Sequence, residues 1–249
     1  MSTHRLWEVL RRNAGMFGLV AGIVALALFG VSWRIPTSAA ETANVVPAPA
    51  VDAPLSPGEG LRTVVLAGGC FWGIQAVFQH AEGVHQAVSG YAGGAAPNPT
   101  YEQVSSGRTG YAEAVQVTFD PRKISYGKIL QIFFSVAHDP TQLNRQGPDV
   151  GTQYRSAIFF SSDAEKQVAQ SYITQLDGAA AFSRPIVTRV DPLTKFYPAE
   201  GYHQNYALNH PNNAYIVYND LPKVENFKRL FADAYREQPV IVATMQPGH

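Results

Sequence analysis

Residues 66–73 read LAGGCFWG and contain the single cysteine of a 249-residue chain. Most lone cysteines are small buried hydrophobes without a chemical role. Cys70, however, follows a β-branched run ended by two glycines and precedes apolar residues at helical spacing, which predicts a strand-to-helix turn. Unpaired N–H groups and the dipole at a helix N-terminus lower the pKa of a thiol. The pattern therefore favours a reactive Cys70 over a packed one, with Phe71 and Trp72 as an adjacent pocket wall.

A glutamate is predicted on the buried face of a strand. In YAEAVQVTF, alternation places Glu113 on the same face as Val115, Val117 and Phe119. Because an ionised carboxylate is costly on an apolar face, the pKa of Glu113 should rise and the group should stay protonated. A neutral carboxylic acid in an apolar site can donate a proton or a hydrogen bond. The alternative is a glutamate at the end of a strand whose carboxylate reaches solvent.

Two tyrosines and an aspartate lie in long loops next to predicted strands: Tyr101 in NPTY, Asp149 in GPDVG and Tyr154 in TQYRS. Phenol groups donate hydrogen bonds without carrying charge, which suits the stabilisation of a substrate oxygen, although either tyrosine can instead be a packed aromatic. Asp149 either caps a turn or biases a nearby thiol. His203, in EGYHQNY, is either a catalytic base or a hydrogen-bonded structural histidine, and we favour the second interpretation.

The elements that must position these side chains alternate between strands and helices. Hydrophobic periodicity predicts the order strand, helix, two strands, helix, strand, helix, strand, helix. The predicted segments are RTVVLAGG, CFWGIQAVFQHAEG, VHQAVSGY, YAEAVQVTFD, ISYGKILQIFFSVA, TQYRSAIFF, SDAEKQVAQSYITQL, PIVTRV and LPKVENFKRLFADAYREQ. This order is typical of an α/β domain in which helices cover a mixed sheet.

Composition limits the partners and cofactors that can be expected. The chain has 19 basic and 19 acidic residues, so nothing in its charge favours a nucleic-acid partner. One cysteine excludes an internal disulfide, and no spacing of cysteine and histidine indicates a zinc site. We therefore expect neither a metal nor another cofactor.

The first 40 residues differ from the rest of the chain. Arg5, Arg11 and Arg12 precede an uncharged run over residues 14–33, which has about the length of a membrane span. The small residues TSAA at 37–40 are of the kind found at signal-peptide cleavage sites. We expect residues 1–40 to be a cleaved signal peptide or a membrane anchor, with the remainder exported to the periplasm.

The folded domain is predicted between two irregular segments. Residues 41–60 are rich in proline and alanine and lack periodicity, as in a semi-extended linker. Residues 61–238 form the predicted catalytic domain, and residues 239–249 form a C-terminal tail.

Six motifs together resemble one known family. GCFWG, NPTY, GYAEAVQV, HDPTQ, GTQYRS and YHQNY occur in the order found in peptide methionine sulfoxide reductase type A, over about residues 62–237. The resemblance implies a two-layer, ferredoxin-like α/β sandwich with a mixed sheet flanked by helices. It also implies thiol-dependent reduction of methionine S-sulfoxide, free or in oxidised proteins.

The resemblance also implies a role for each candidate residue. Cys70 matches the nucleophile, and Glu113 matches the acid that protonates the sulfoxide oxygen. Tyr101 and Tyr154 match the phenols bonded to that oxygen, and Asp149 matches a nearby carboxylate. The hydrophobic wall that receives the substrate's methyl group corresponds to Phe71 and Trp72, whereas no chemical role is assigned to His203.

The chain departs from many members of this family in its cysteine content. Those relatives resolve the oxidised cysteine with further cysteines, and this chain has none besides Cys70. The sequence therefore predicts regeneration by an external thiol, either a small molecule or a thioredoxin-like protein, through a mixed disulfide. Because an oxidising compartment is poor in reductant, an exported enzyme would need a membrane partner that delivers electrons.

Two other functions are consistent with parts of the pattern. A cysteine hydrolase or acyltransferase would use Cys70 as nucleophile and His203 as base, which predicts an acyl-thioester and leaves Glu113 without a role. A non-catalytic, envelope-anchored binding module would be unaffected by Cys70→Ser.

Overall fold

A six-stranded mixed β-sheet is the frame of the structure, a computed structural model in which residues 43–53 and 60–243 are described. The strands in chain order are β1 (Arg62–Gly68), β2 (Val84–Ala92), β3 (Ala112–Phe119), β4 (Arg145–Gln146), β5 (Asp149–Val150), β6 (Ser156–Phe160), β7 (Arg189–Pro192) and β8 (Phe196–Pro198). The large sheet has the order β7-β6-β1-β3-β2-β8, and β4 and β5 form a separate ribbon. Only the β6–β7 pair of the large sheet is parallel.

The described residues also form six α-helices, of which the last two follow all the strands. They are α1 (Phe71–Gln79), α2 (Tyr101–Ser105), α3 (Tyr126–Ile132), α4 (Asp163–Gly178), α5 (Tyr206–Asn209) and α6 (Leu221–Leu230). Helix α4 begins as its sequence predicts, because the Ser162 hydroxyl accepts a hydrogen bond from the backbone N–H of Glu165 at 3.3 Å. Pro222 lies in the first turn of α6, where its missing N–H costs nothing.

The two faces of the sheet carry different side chains. One face bears large residues that pack in a single cluster with the helices, with Phe78 from α1, Ile129 from α3, Val168 from α4 and Phe227 from α6. The opposite face bears mostly small residues: Val65, Ala67, Ala92, Ala112, Ala114, Ala157 and Phe159. The α/β sandwich with a mixed sheet is therefore confirmed.

Several elements differ from their predicted limits. The strand expected over residues 152–160 starts at Ser156, because Thr152–Tyr154 form a short 3-10 turn. The strand expected at 185–190 lies at Arg189–Pro192, where it aligns with β6, and α6 ends at Leu230 rather than near residue 238. The short helix α2 and the edge strand β8 are not predicted at all. These elements contain three to five residues each, too few for a periodic pattern.

Part of the predicted linker packs on the domain instead of extending from it. Val46 is 5% exposed, and its N–H donates to the Ser135 hydroxyl at 3.1 Å while its carbonyl accepts from the Gln131 amide at 2.9 Å. The Tyr172 hydroxyl donates to the Pro47 carbonyl at 2.7 Å. Helix side chains thus satisfy the backbone of residues 43–53 without regular secondary structure.

The predicted tail also contacts the domain. The N–H of Val240 donates to the Gln79 carbonyl at 2.9 Å, and the N–H of Val242 donates to the Asn205 side chain at 3.0 Å. Residues on both sides of the predicted limits of 61 and 238 therefore pack on the domain.

The predicted signal peptide or anchor over residues 1–40 lies outside the described residues. Within 43–53 and 60–243, none of the helices has both the length and the apolar character needed to span a membrane.

Candidate active site

The turn between β1 and α1 presents Cys70, as the sequence predicts. Cys70 is the N-cap residue of α1, and it is buried, with 7% of the residue exposed. The turn requires glycine at position 69, where φ is +101° and a Cβ would lie 2.5 Å from Cβ of Gln146. The thiol is therefore held at the start of a helix by a backbone that another residue would strain.

Glu113 reaches this turn from β3. Its Oε2 accepts a hydrogen bond from the backbone N–H of Phe71 at 3.1 Å, and the residue is 2% exposed. Burial raises the pKa of Glu113 to about 8; the negative charges of Asp149 and Asp220 act in the same direction, and the Phe71 N–H opposes them. The carboxyl group is thus mostly protonated at neutral pH, as expected from its place on the strand.

The expected lowering of the thiol pKa is wrong. Burial raises the pKa of Cys70 well above its ordinary value, and the charges of Glu113 and Asp220 raise it further. The backbone N–H of Trp72 and the ammonium of Lys223 lower it only in part. Desolvation therefore outweighs the helix N-terminus at this turn.

An aromatic wall stands next to the thiol. Phe71 is fully buried, and the Trp72 ring stacks on Tyr206 with centroids 3.9 Å apart and an interplanar angle of 11°. Tyr215 meets the edge of Trp72 at 5.9 Å. The wall predicted from Phe71 and Trp72 thus includes two tyrosines from the C-terminal part of the chain.

The predicted phenols lie within electrostatic range of the Cys70–Glu113 pair. Burial and the nearby Glu113 carboxylate raise the pKa of both Tyr101 and Tyr154, so each phenol stays a neutral hydrogen-bond donor. Glu200 fixes the start of α2, because its carboxylate accepts from the Tyr101 N–H at 2.9 Å and from the Tyr91 hydroxyl at 2.8 Å. The role of Glu200 is not visible in the sequence.

Asp149, in β5, contacts the aromatic wall. The Tyr215 hydroxyl donates a short hydrogen bond to its carboxylate. Burial raises the pKa of Asp149, whereas the hydrogen bond from Tyr215 and the charge of Lys223 lower it. Asp149 therefore connects the aromatic wall to the acidic groups around the thiol.

A model of the family described as peptide methionine sulfoxide reductase matches residues 62–235. The chain belongs to this family.

Relatives and solved structures agree with this assignment. Peptide methionine sulfoxide reductase MsrA 2 of Mesorhizobium japonicum is 59% identical over 183 residues, covering 74% of this chain and 94% of the relative. A Synechocystis protein of the same name is 46% identical over 197 residues, covering 78% and 92%. Methionine sulfoxide reductase A of Corynebacterium diphtheriae superposes with a TM-score of 0.54 at 36% identity, covering 67% of this chain and 83% of that one. Reduced Mxr1 of Saccharomyces cerevisiae superposes with a TM-score of 0.55 at 34% sequence identity, covering 61% of this chain and 87% of Mxr1.

This chain is therefore a thiol-dependent methionine sulfoxide reductase of type A with a single cysteine. The resemblance over residues 62–237 is confirmed by the family match, which covers nearly the same stretch.

His203 supports the wall of the reductase pocket. The Trp72 indole N–H donates to Nδ1 of His203 at 3.2 Å, so the neutral ring carries its proton on Nε2. Nε2 is buried and has no hydrogen-bond partner within the described part of the chain. Burial lowers the pKa of His203. Because its accepting nitrogen is occupied by Trp72, the ring is not arranged as a base for Cys70, and the hydrolase alternative has no support.

The loop that carries His203 is tied to α1 by buried amides. The Gln75 amide donates to the Gln204 carbonyl oxygen at 2.9 Å, and the Asn205 N–H donates to the Gln75 side chain at 2.9 Å. These contacts join residues about 130 positions apart in the sequence. They explain how a loop residue can be held against Trp72.

An ion pair between Asp220 and Lys223 lies next to the reductase site, and the sequence does not predict it. Asp220 is fully buried, and its carboxylate accepts from the Lys223 ammonium at 3.1 Å. In the sequence, Asp220 precedes Leu-Pro at the start of a helix and therefore reads only as a helix cap. Its position against the Cys70 helix depends on tertiary packing.

Proposed function

We propose that Cys70 attacks the sulfoxide sulfur while protonated Glu113 transfers its hydrogen to the sulfoxide oxygen. The attack forms a bond between the Cys70 sulfur and the substrate sulfur. The protonated oxygen then bonds to the Cys70 sulfur while that S–S bond and the S–O bond of the substrate break, and methionine leaves. Cys70 is oxidised to a sulfenic acid and the sulfoxide is reduced. One observation carries the proposal: the Phe71–Glu113 hydrogen bond of 3.1 Å joins a buried, protonated acid to the residue after Cys70.

The phenols and the aromatic wall have separate tasks in this mechanism. Tyr101 and Tyr154 hydrogen-bond the sulfoxide oxygen, which gains negative charge as the S–O bond lengthens. Phe71 and Trp72 receive the methyl group of the substrate. Asp149 keeps the Tyr215 hydroxyl engaged, so that this ring stays against Trp72.

The substrate is methionine sulfoxide of the S configuration, both in oxidised proteins and as the free amino acid. This preference follows from membership of the type A family. When the methyl group lies on the aromatic wall and the oxygen at Glu113, the two epimers differ by an exchange of the sulfur lone pair and the rest of the substrate. One pocket therefore cannot orient both epimers in the same way.

An external thiol completes the cycle, because Cys70 is the single cysteine of the chain. The thiol sulfur bonds to Cys70, the sulfenic oxygen leaves as water with the thiol's proton, and a second thiol releases reduced Cys70 as it forms a disulfide. The reductant is a thioredoxin-like protein or a small thiol.

Intact mass spectrometry after one turnover tests this regeneration step. Without reductant, the protein should gain one oxygen atom, and dimedone should label Cys70. Addition of a thioredoxin whose second active-site cysteine is serine should convert the oxidised protein to a mixed disulfide. A protein that releases methionine without gaining oxygen or a thiol adduct would contradict the mechanism.

We also propose that the catalytic domain is exported. The support is the uncharged run over residues 14–33 behind Arg5, Arg11 and Arg12. In a bacterial host, protease added to spheroplasts should digest the full chain but not a variant that lacks residues 1–40. N-terminal sequencing of the mature protein should show a start near residue 41 if the leader is cleaved and the original start if it is an anchor. Protection of the full chain in spheroplasts would refute export.

A further inference from the structure

Asp220 lies where a π-helical turn, Ile216–Asp220, continues directly into α6. Its side chain makes no capping hydrogen bond. The carboxylate instead turns into the core, where it is 0% exposed. One oxygen accepts from the Lys223 ammonium at 3.1 Å, and the other is buried with no hydrogen-bond partner within the described residues.

The ion pair lies against the first turn of the helix that begins at Cys70. A Cβ atom at Gly73 would lie 2.2 Å from Oδ1 of Asp220 and 2.9 Å from Nζ of Lys223. Residues three apart share one side of a helix, so Gly73 and Cys70 are neighbours on this surface. The absence of a side chain at Gly73 therefore lets both charges approach the turn that holds the thiol.

The charge of Cys70 depends on the titratable groups around it, which include Asp220 and Lys223. Among the residues that the structure describes, six titratable side chains interact electrostatically with the Cys70 thiol: Tyr101, Glu113, Tyr154, Tyr215, Asp220 and Lys223. Asp149 acts on several of these groups in turn. Carboxylates oppose a second negative charge, whereas the Lys223 ammonium favours it. The side chain of Lys223 is 17% exposed and that of Asp220 is 0% exposed, so water screens this charge only weakly.

We propose that Lys223, held by Asp220 against the first turn of α1, is a positioning residue whose ammonium stabilises the thiolate of Cys70. The pair sets the balance: Lys223 favours the reactive form, and the Asp220 carboxylate limits that effect while it holds the ammonium in place. The proposal rests on the proposed function, since it assigns Cys70 as the attacking sulfur.

A purely structural ion pair would behave differently. Removal of either partner of a buried pair destabilises the fold, because the other charge is left uncompensated. Both single substitutions would then lower stability and change the thiol in the same direction or not at all. An electrostatic role instead predicts opposite effects of the two substitutions on the thiol.

The alkylation rate of Cys70 by iodoacetamide at pH 8 measures this role. Because the thiol is mostly protonated at this pH, the alkylation rate is proportional to the thiolate fraction. An opposite charge nearby lowers the pKa of an acidic group by about 1 to 3 pH units. We expect Lys223→Met to slow alkylation about tenfold and Asp220→Asn to accelerate it about tenfold. Lys223→Arg should retain most of the wild-type rate.

Two further variants control for misfolding. The double variant Asp220→Asn/Lys223→Met removes both charges without leaving either one buried alone, and its alkylation rate should return to within about threefold of wild type. Lys228 lies on the same helix, but its side chain is exposed and pairs with Glu237. Lys228→Met should therefore leave the alkylation rate unchanged. Thermal unfolding identifies any single variant that fails to fold.

Rates that change in the same direction in Lys223→Met and Asp220→Asn, or that change less than twofold in both, would overturn the proposal. The alkylation assay does not require reductase activity. Opposite shifts in alkylation combined with no reduction of methionine sulfoxide would therefore leave this inference intact and refute the proposed function instead. A matched shift in the pH profile of single-turnover reduction would support both.

Discussion

Glu113→Gln slows single-turnover reduction of methionine sulfoxide by about 10²- to 10⁴-fold at pH 7, the usual contribution of a general acid. The amide has the same shape and can still accept the Phe71 N–H, but it has no acidic proton to give to the sulfoxide oxygen. Substrate affinity should change little, because binding depends on the aromatic wall. Rapid-quench measurement of methionine release, with binding followed by tryptophan fluorescence, tests both statements.

The pH dependence of the same rate identifies the acid. The pKa of Glu113 is raised to about 8, so the proton is present below pH 8 and is lost as the pH rises through that value. Because the pKa of Cys70 lies higher still, the thiolate fraction keeps increasing above pH 8. The wild-type rate should therefore rise with pH and level off near pH 8, whereas the rate of Glu113→Gln should continue to rise. Glu165→Gln is the matched control, since Glu165 is also buried but contacts Arg62 away from the thiol. A near-normal rate for Glu113→Gln at neutral pH would refute the assignment.

Cys70→Ser abolishes reduction while the fold is retained. Serine differs by one atom at a position that is 7% exposed, so the turn and the aromatic wall should persist. A hydroxyl oxygen cannot be oxidised to a sulfenic acid, and methionine formation should fall to the uncatalysed background. Chromatography of the methionine product and dimedone labelling provide the measurement, and unchanged thermal unfolding provides the control.

The same variant separates the alternative functions. Undiminished function in Cys70→Ser would indicate a binding module, whereas an acyl-thioester trapped on the wild-type protein would indicate a hydrolase. Neither outcome is compatible with sulfoxide reduction at Cys70.

Local patterns were sufficient where a segment's own residues decide its structure. Strand β3 alternates between its two faces, and α4 carries its capping serine, so both could be predicted within a few residues. The same alternation located Glu113 on the buried face, and the two glycines located Cys70 at a turn. Strand β8 and the position of β7 could not be predicted, because pairing with β2 and β6 determines them.

The pKa of the Cys70 thiol is the property for which the sequence-based prediction is wrong. A helix N-terminus by itself predicts a lowered pKa, and the structure shows a raised one. The difference comes from burial and from the carboxylates of Glu113 and Asp220, which lie on other elements of the chain. Glu200, Asp220 and Lys223 were missed for the same reason, since nothing within their own segments relates them to Cys70.

The amino-acid sequence by itself placed Cys70 at a turn and Glu113 on a buried strand face, and its cysteine count predicts regeneration by an external thiol, because residue types, alternation and residue counts are local or additive properties. Only the tertiary structure decided the charge balance around Cys70 and the packing of residues 43–53 on the domain. Desolvation and Coulomb interactions depend on distances in space, and chain packing brings Asp220 and Lys223 against a helix that begins at residue 71.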